Sequence, residues 1–193
     1  KDILRTDCIL DLSSIIRLGG NKEDLFFFLN VILKYLWDYN LESGAYHGIK
    51  HITIIEDAQY FIPKSILKKS KLSTYLEDVA LLQRGTGECL ICIATRADIA
   101  ERILANSGVI VSFKNYYEKE IIGDLISLPK NHYNYLSNLT EGQCIIRVNS
   151  IKDPFVLQIP FLKKKISKAN QKWEDSNFIL RPKNRIKTIK KVS

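Results

Sequence analysis

An α/β fold with a mostly parallel sheet and helices on both faces is predicted by three observations. Short apolar runs alternate with longer stretches of helical periodicity. One run, Cys89 to Ala94, is apolar throughout, as a central parallel strand covered on both faces would be. Another, Ile52-Thr53-Ile54-Ile55, leads straight into Glu56-Asp57 and so puts paired carboxylates at a strand end.

The elements follow in order. Cys8 to Leu12 reads as a strand that ends at Asp11-Leu12-Ser13-Ser14. Asn21 caps a helix with Glu23 and Asp24 in its first turn, running to about Tyr39. Leu25, Leu29, Ile32 and Leu36 form one stripe of that helix, and Phe26, Leu33 and Trp37 another. A helix apolar on two sides is expected to be buried on both. Residues 40–48 form a loop with Gly44 and Gly48, and Ile52 to Ile55 is the next strand. Pro63 to about Lys71 reads as an exposed basic connector, Thr74 to Gln83 as a helix, and Arg84-Gly85-Thr86-Gly87 as the turn out of it. After Cys89 to Ala94 come a short helix near Ile99 to Ala105, a strand at Gly108 to Phe113 and a helix at Glu118 to Leu128. Gln143 to Val148 and Phe155 to Ile159 are two strands around Asp153-Pro154, which predicts an antiparallel hairpin.

Composition bounds the function. Of 193 residues, 46% are apolar and 26% charged, which suits a folded domain rather than a disordered chain. No run approaches the roughly 20 apolar residues of a membrane helix; Asn30 and Lys34 interrupt the nearest, Leu25 to Leu36. No secretory signal is visible. The chain opens on Lys1 and lacks Met, so it is expected to begin downstream of its initiator. Cys8, Cys89, Cys92 and Cys144 lie in apolar runs and are expected to be buried free thiols in a reducing cytoplasm. Cys89 and Cys92 are three apart on a strand and point to opposite faces, and His47, His51 and His132 stand at no zinc-like spacing from them. Net charge is +8, concentrated from Lys163 onward. Residues 1–162 therefore read as the folded portion and 163–193 as a basic tail, suited either to a phosphate backbone or simply to solvent.

Candidate chemistry lies at the sheet edges. Hydrolytic phosphoryl transfer needs a metal to neutralise charge and an oriented water. Glu56 and Asp57 at the C-terminal end of a strand meet both needs, one toward the water shell of Mg2+ and one toward the attacking water. An acidic strand end that merely faces solvent is the competing reading. Thr95 and Arg96 follow the apolar strand at the same kind of edge, where Thr95 is placed to sense a terminal phosphate or to cap a helix. Arg84 stands in a turn at the opposite edge, from which it would reach a neighbouring subunit's nucleotide or simply face water. Tyr116, Tyr117, Tyr133 and Tyr135 suit base stacking, but packing explains them more simply. No G-x-x-x-x-G-K-[ST] loop occurs in the sequence.

The chain from about Cys8 to Leu162 resembles the C-terminal half of the ATPase core of the HerA family, in the HerA/FtsK superfamily. The resemblance is carried by Asp11-Leu12-Ser13, Asn30 with Leu33-Lys34-Tyr35-Leu36, and His51-Ile52-Thr53-Ile54-Ile55-Glu56-Asp57-Ala58. It continues through Arg84-Gly85-Thr86-Gly87, Ile93-Ala94-Thr95, Ile103-Leu104-Ala105-Asn106-Ser107-Gly108, and Pro154-Phe155 to Ile159-Pro160. It implies a RecA-like P-loop core whose N-terminal, Walker A part is absent here. It also implies ATP with Mg2+ once that part is supplied, a hexameric ring, duplex DNA, and a nuclease or defence-effector partner. By matching positions Glu56 falls on the metal-water acid, Asp57 on the catalytic glutamate and Thr95 on the sensor threonine. Asp57 is one methylene shorter than the usual Glu, and Arg96 stands where Gln is usual, near the phosphates. Both departures also suit a non-catalytic assembly or DNA-binding module descended from such a motor.

Overall fold

The computed structural model describes residues 6–65, 76–77 and 83–160. The chain divides into two compact units, with described residues 6–39 in one and 40–160 in the other.

The first unit holds α1 (Ser13–Arg17) and most of α2 (Lys22–Ser43). Cys8 to Leu12 is not a strand. Asp11 Oδ1 instead accepts the Ser13 backbone N–H at 3.0 Å and the Ser13 hydroxyl at 2.6 Å, and Oδ2 takes Arg17 at 2.9 Å. These local bonds satisfy the chain by turning it into α1, so the apolar run before them does not extend into a ladder. The cap of α2 is as expected. Asn21 Oδ1 accepts the N–H groups of Glu23 and Asp24, and the Asp24 carboxylate accepts the Asn21 N–H at 2.8 Å, a reciprocal capping arrangement. Leu29, Leu33 and Leu36 are buried, but Phe27 is 71% and Val31 52% exposed, so α2 is not covered all round.

The second unit contains two sheets. Strands β1 (His51–Ile55) and β2 (Glu88–Cys92) pair in parallel, with Ile52 opposite Cys89 and Ile55 opposite Cys92. These two strands are the parallel part among the described residues. Ile52, Ile54 and Ile91 share one face and stand exposed, so β2 is covered on one face rather than two. Then come α3 (Glu101–Asn106), β3 (Val109–Ser112), α4 (Lys119–Leu125), α5 (Tyr135–Asn138), β4 (Gln143–Val148) and β5 (Phe155–Gln158). Strands β3, β4 and β5 form an antiparallel sheet in that order, with β4–β5 the expected hairpin. An apolar cluster forms against this sheet. Ile126, Leu136, Leu139 and Ile145 are buried together, with Ile110, Ile122 and Leu128 against them. Tyr133 packs against Gly123 of α4, as the packing expectation requires. Tyr117 is 98% exposed, Tyr116 lies under the Lys114 ammonium at 5.0 Å from its ring centroid, and Tyr135 meets His132 edge to face at 5.2 Å.

Among the described residues no helix is long and apolar enough to cross a membrane. Of the connector and helix expected between Pro63 and Gln83, residues 66–75 and 78–82 lie outside the described residues; Pro63 is buried, and Leu76 and Glu77 are helical. The basic tail expected at 163–193 also lies outside them. The four cysteines are free thiols. Only Cys144 is fully buried, the others being half-buried. Burial pushes the Cys92 thiol up to about 11, which leaves it protonated and inert at neutral pH.

Candidate nucleotide-hydrolysis site

The site begins where β1 stops. The Ile93 N–H donates to the Ile55 carbonyl at 2.9 Å, and the Ile93 carbonyl accepts the Ala58 N–H at 2.9 Å. One residue beside β1 thus fixes the backbone on both sides of Glu56-Asp57. Two residues must bridge that short gap, and Asp57 takes left-handed angles to do so, φ 53° and ψ 39°. Asp tolerates this region better than most side chains. A short 3-10 helix, Ala58–Tyr60, follows. The turn leaves both carboxylates exposed at the C-terminal edge of the parallel pair. In open α/β sheets this is the edge where ligands bind.

Thr95 lies at the same edge, three residues past the end of β2, and is exposed together with Arg96. It joins the acid turn through Gln59. The Gln59 amide nitrogen donates to Asp57 Oδ1 and to Thr95 Oγ1, both at 3.1 Å. The Gln59 oxygen accepts the Thr95 N–H at 3.3 Å. The link is thus to the Asp57 side of the pair, where adjacent strands had placed Thr95 beside Glu56. Farther along this loop the Ala97 N–H donates to Glu118 Oε2 at 2.9 Å, and Asn115 Oδ1 accepts the Glu118 N–H at 2.8 Å. The Thr95 loop is therefore held from both sides.

Gln59 and Glu118 were missed from sequence. Gln59 carried a signal, a polar residue two beyond the acids and followed by Tyr60-Phe61-Ile62, where an amide must find partners if it folds inward. Glu118 gave none, because nothing local ties it to a loop 21 residues earlier.

Arg84 occupies the 3-10 helix Gln83–Thr86 just before β2, at the opposite end of the parallel pair from the acids. Gly87, with φ 82°, completes that turn; a Cβ there would lie 2.7 Å from the Tyr46 ring. Its carbonyl accepts the N–H groups of Lys50 and His51, which fixes where β1 begins.

A second polar cluster sits at this N-terminal end. The Glu88 carboxylate, 4% exposed, meets His51 Nδ1 at 2.8 Å, the Thr53 hydroxyl at 2.5 Å and the Asn40 amide at 3.2 Å. Burial alone would raise its pKa, but hydrogen bonds from His51 and Thr53, with the His51 charge and Asn40, hold it below the ordinary value. The hydrogen bond to Glu88 raises His51, against its own burial.

The donor set at the acid turn suits magnesium held through its water shell. Two exposed carboxylates and a nearby hydroxyl are hard oxygen donors, and this ion commonly takes one or two carboxylates with phosphates and waters. Among the described residues no three His, Cys, Asp or Glu side chains converge as a cage. Glu56 would hold the ion's water shell, with the Asp57 carboxylate beside it, and phosphate oxygens would complete the shell.

No protein-family model matches the chain, and no curated protein matches it. Solved structures do. The chain is similar to the DNA-packaging ATPase from Sulfolobus turreted icosahedral virus at 19% identity and a TM-score of 0.52, over 68% of this chain and 62% of that one. It is similar to the genome packaging NTPase of Sulfolobus turreted icosahedral virus 2 in complex with AMP at 19% identity and a TM-score of 0.50, over 79% and 73%. Against that NTPase in complex with ATP-gammaS, identity is 23% and the TM-score 0.45, and this chain spans 52% of its length. The first two likenesses show the fold. It is a mixed α/β architecture shared with those packaging NTPases, here with a parallel strand pair and a separate antiparallel sheet.

Proposed function

We propose that this chain supplies the acid and sensor elements of a HerA-type, ATP-hydrolysing, DNA-translocating motor. The observation that carries the reading is the junction at the sheet edge, where one amide joins Asp57 to Thr95 from neighbouring parallel strands. Magnesium, when bound, would neutralise charge on the phosphate oxygens. Glu56 would hold the ion's water shell. Asp57 accepts a hydrogen bond from the attacking water, whose oxygen bonds to the γ-phosphorus as the bond to the β–γ bridging oxygen breaks, so that ADP leaves and the water's proton passes to the Asp57 carboxylate. Thr95 donates its hydroxyl toward the terminal phosphate, and Arg96 adds positive charge on the same side. Arg84, at the far end of the strand pair, acts on the site of the next subunit in a ring, stabilising charge there. Duplex DNA and a homo-oligomer, a hexamer by the resemblance, are the partners this reading requires, with a nuclease or defence effector beyond them. The packaging ATPases with the same fold are named for work on viral DNA, which supports a nucleic-acid motor.

The test is DNA-stimulated ATP hydrolysis by the protein as its gene encodes it. Wild type hydrolyses ATP, and Asp57→Ala lowers kcat at least about a hundredfold, as loss of a water-orienting group does. Unchanged hydrolysis in Asp57→Ala overturns the reading. The shortened acid at Asp57 and the charge at Arg96 favour one alternative, a non-catalytic assembly or DNA-binding module. That alternative holds if the wild-type protein binds DNA and assembles but does not hydrolyse ATP.

A further inference from the structure

We propose that Gln59 is a positioning residue, setting the acid and the sensor in one fixed geometry through its single carboxamide. The inference rests on the catalytic reading of Asp57 and Thr95. Its observations are separate from that reading: Gln59 is 8% exposed, and all three of its hydrogen bonds go to those two residues.

The chemistry of the side chain explains the choice. Asp57 stands on a turn with its carboxylate in solvent, free to rotate about two side-chain bonds unless something holds it. Thr95 stands on a loop beyond the end of β2. A carboxamide donates from nitrogen and accepts at oxygen at the same time, and it is neutral at every working pH. Its nitrogen therefore restrains a carboxylate without changing that carboxylate's charge. Its oxygen meanwhile takes the backbone N–H of the partner loop. Glutamate of the same shape can do this only when protonated; ionised, it loses its donor and repels Asp57. Alanine restrains neither partner. Reaction geometry is sensitive at this scale, since misplacing a reacting group by about 1 Å costs up to about a hundredfold in rate.

The experiment compares Gln59→Ala, Gln59→Glu and Asp57→Ala with wild type in the protein as its gene encodes it. Hydrolysis is followed across pH, with thermal melting measured alongside. Gln59→Ala is expected to lower kcat about ten- to a hundredfold while KM for ATP stays within about twofold, because Gln59 acts through Asp57 and Thr95. The activity of Gln59→Glu relative to wild type is expected to be highest at acid pH. It then falls as pH rises through a glutamate pKa that Asp57 pushes up. If Asp57→Ala abolishes hydrolysis and Gln59→Ala keeps the wild-type kcat, the positioning role is overturned and the catalytic reading stands. A parallel loss of kcat, KM and melting temperature in Gln59→Ala, with a flat pH ratio for Gln59→Glu, makes Gln59 a packing residue and also overturns it. If Asp57→Ala leaves hydrolysis intact, both readings fall together.

Discussion

Asp57 is where local backbone and proposed chemistry meet. Its left-handed conformation follows from a two-residue bridge whose ends are both tied to Ile93. That strain belongs to the backbone, so it can be measured without reference to activity. Alanine at this position keeps the left-handed cost, about 1 kcal/mol, and glycine avoids it. Asp57→Gly is therefore expected to be about 1 kcal/mol more stable than Asp57→Ala in denaturant unfolding, with both lacking hydrolysis. Equal stabilities would mean that the turn does not hold its angles. The sequence showed that acids follow a strand. It did not show that the strand's last bonds would force the second acid into this conformation, because that depends on Ile93, 36 residues beyond Asp57.

Elements were legible where their signals were local. The cap at Asn21 and the β4–β5 hairpin each rest on residues close in sequence, and each appears in the structure. The apolar run at Cys8 to Leu12 failed as a strand because Asp11 satisfied the chain locally. Two elements make their own predictions. In α4, a Cβ on Gly123 would stand 2.6 Å from the Tyr133 ring, whose hydroxyl is itself tied to Asp124. Gly123→Ala should therefore cost about 1–3 kcal/mol of stability through overpacking; an unchanged denaturation midpoint would show that the ring moves aside freely. Between β1 and β2, His51 and Glu88 couple stability to pH. The folded pKa of His51 is raised above 6.5, so its contribution is full below 6.5 and is lost as pH rises through the raised value. The folded pKa of Glu88 is lowered below 4.5, so its contribution is present above 4.5 and is lost as pH falls through the lowered value. The pair is strongest between those limits. His51→Gln should lose about 2 kcal/mol near pH 6, and it should lack the decline in unfolding free energy expected of wild type above pH 6.5. A decline of equal size in the variant would assign it elsewhere.

At the scale of the molecule, half of the proposed chemistry was readable and half was not. The acids and the threonine marked the C-terminal edge of the strand pair by their order along the chain, whereas the amide between them required the fold. Charge, by contrast, is fully legible in sequence, and it separates the two tasks of the proposed motor. From Lys163 onward lie eleven of the 29 basic residues and only two of the 21 acidic ones, so residues 163–193 carry +9. Eighteen basic and nineteen acidic residues remain, which leaves residues 1–162 at −1. A nearly neutral stretch has little long-range attraction for a polyanion, so non-specific DNA affinity should reside in the basic segment. Each phosphate neutralised on duplex DNA contributes a slope of about −0.9 in log affinity against log salt. Ending the chain at Leu162 should therefore reduce the magnitude of that slope by several units and weaken binding to any sequence alike. If the shortened protein keeps the full salt slope, the DNA contacts lie within residues 1–162 despite their charge, and the aromatic residues exposed there, Tyr116, Tyr117 and Tyr135, become the next positions to substitute.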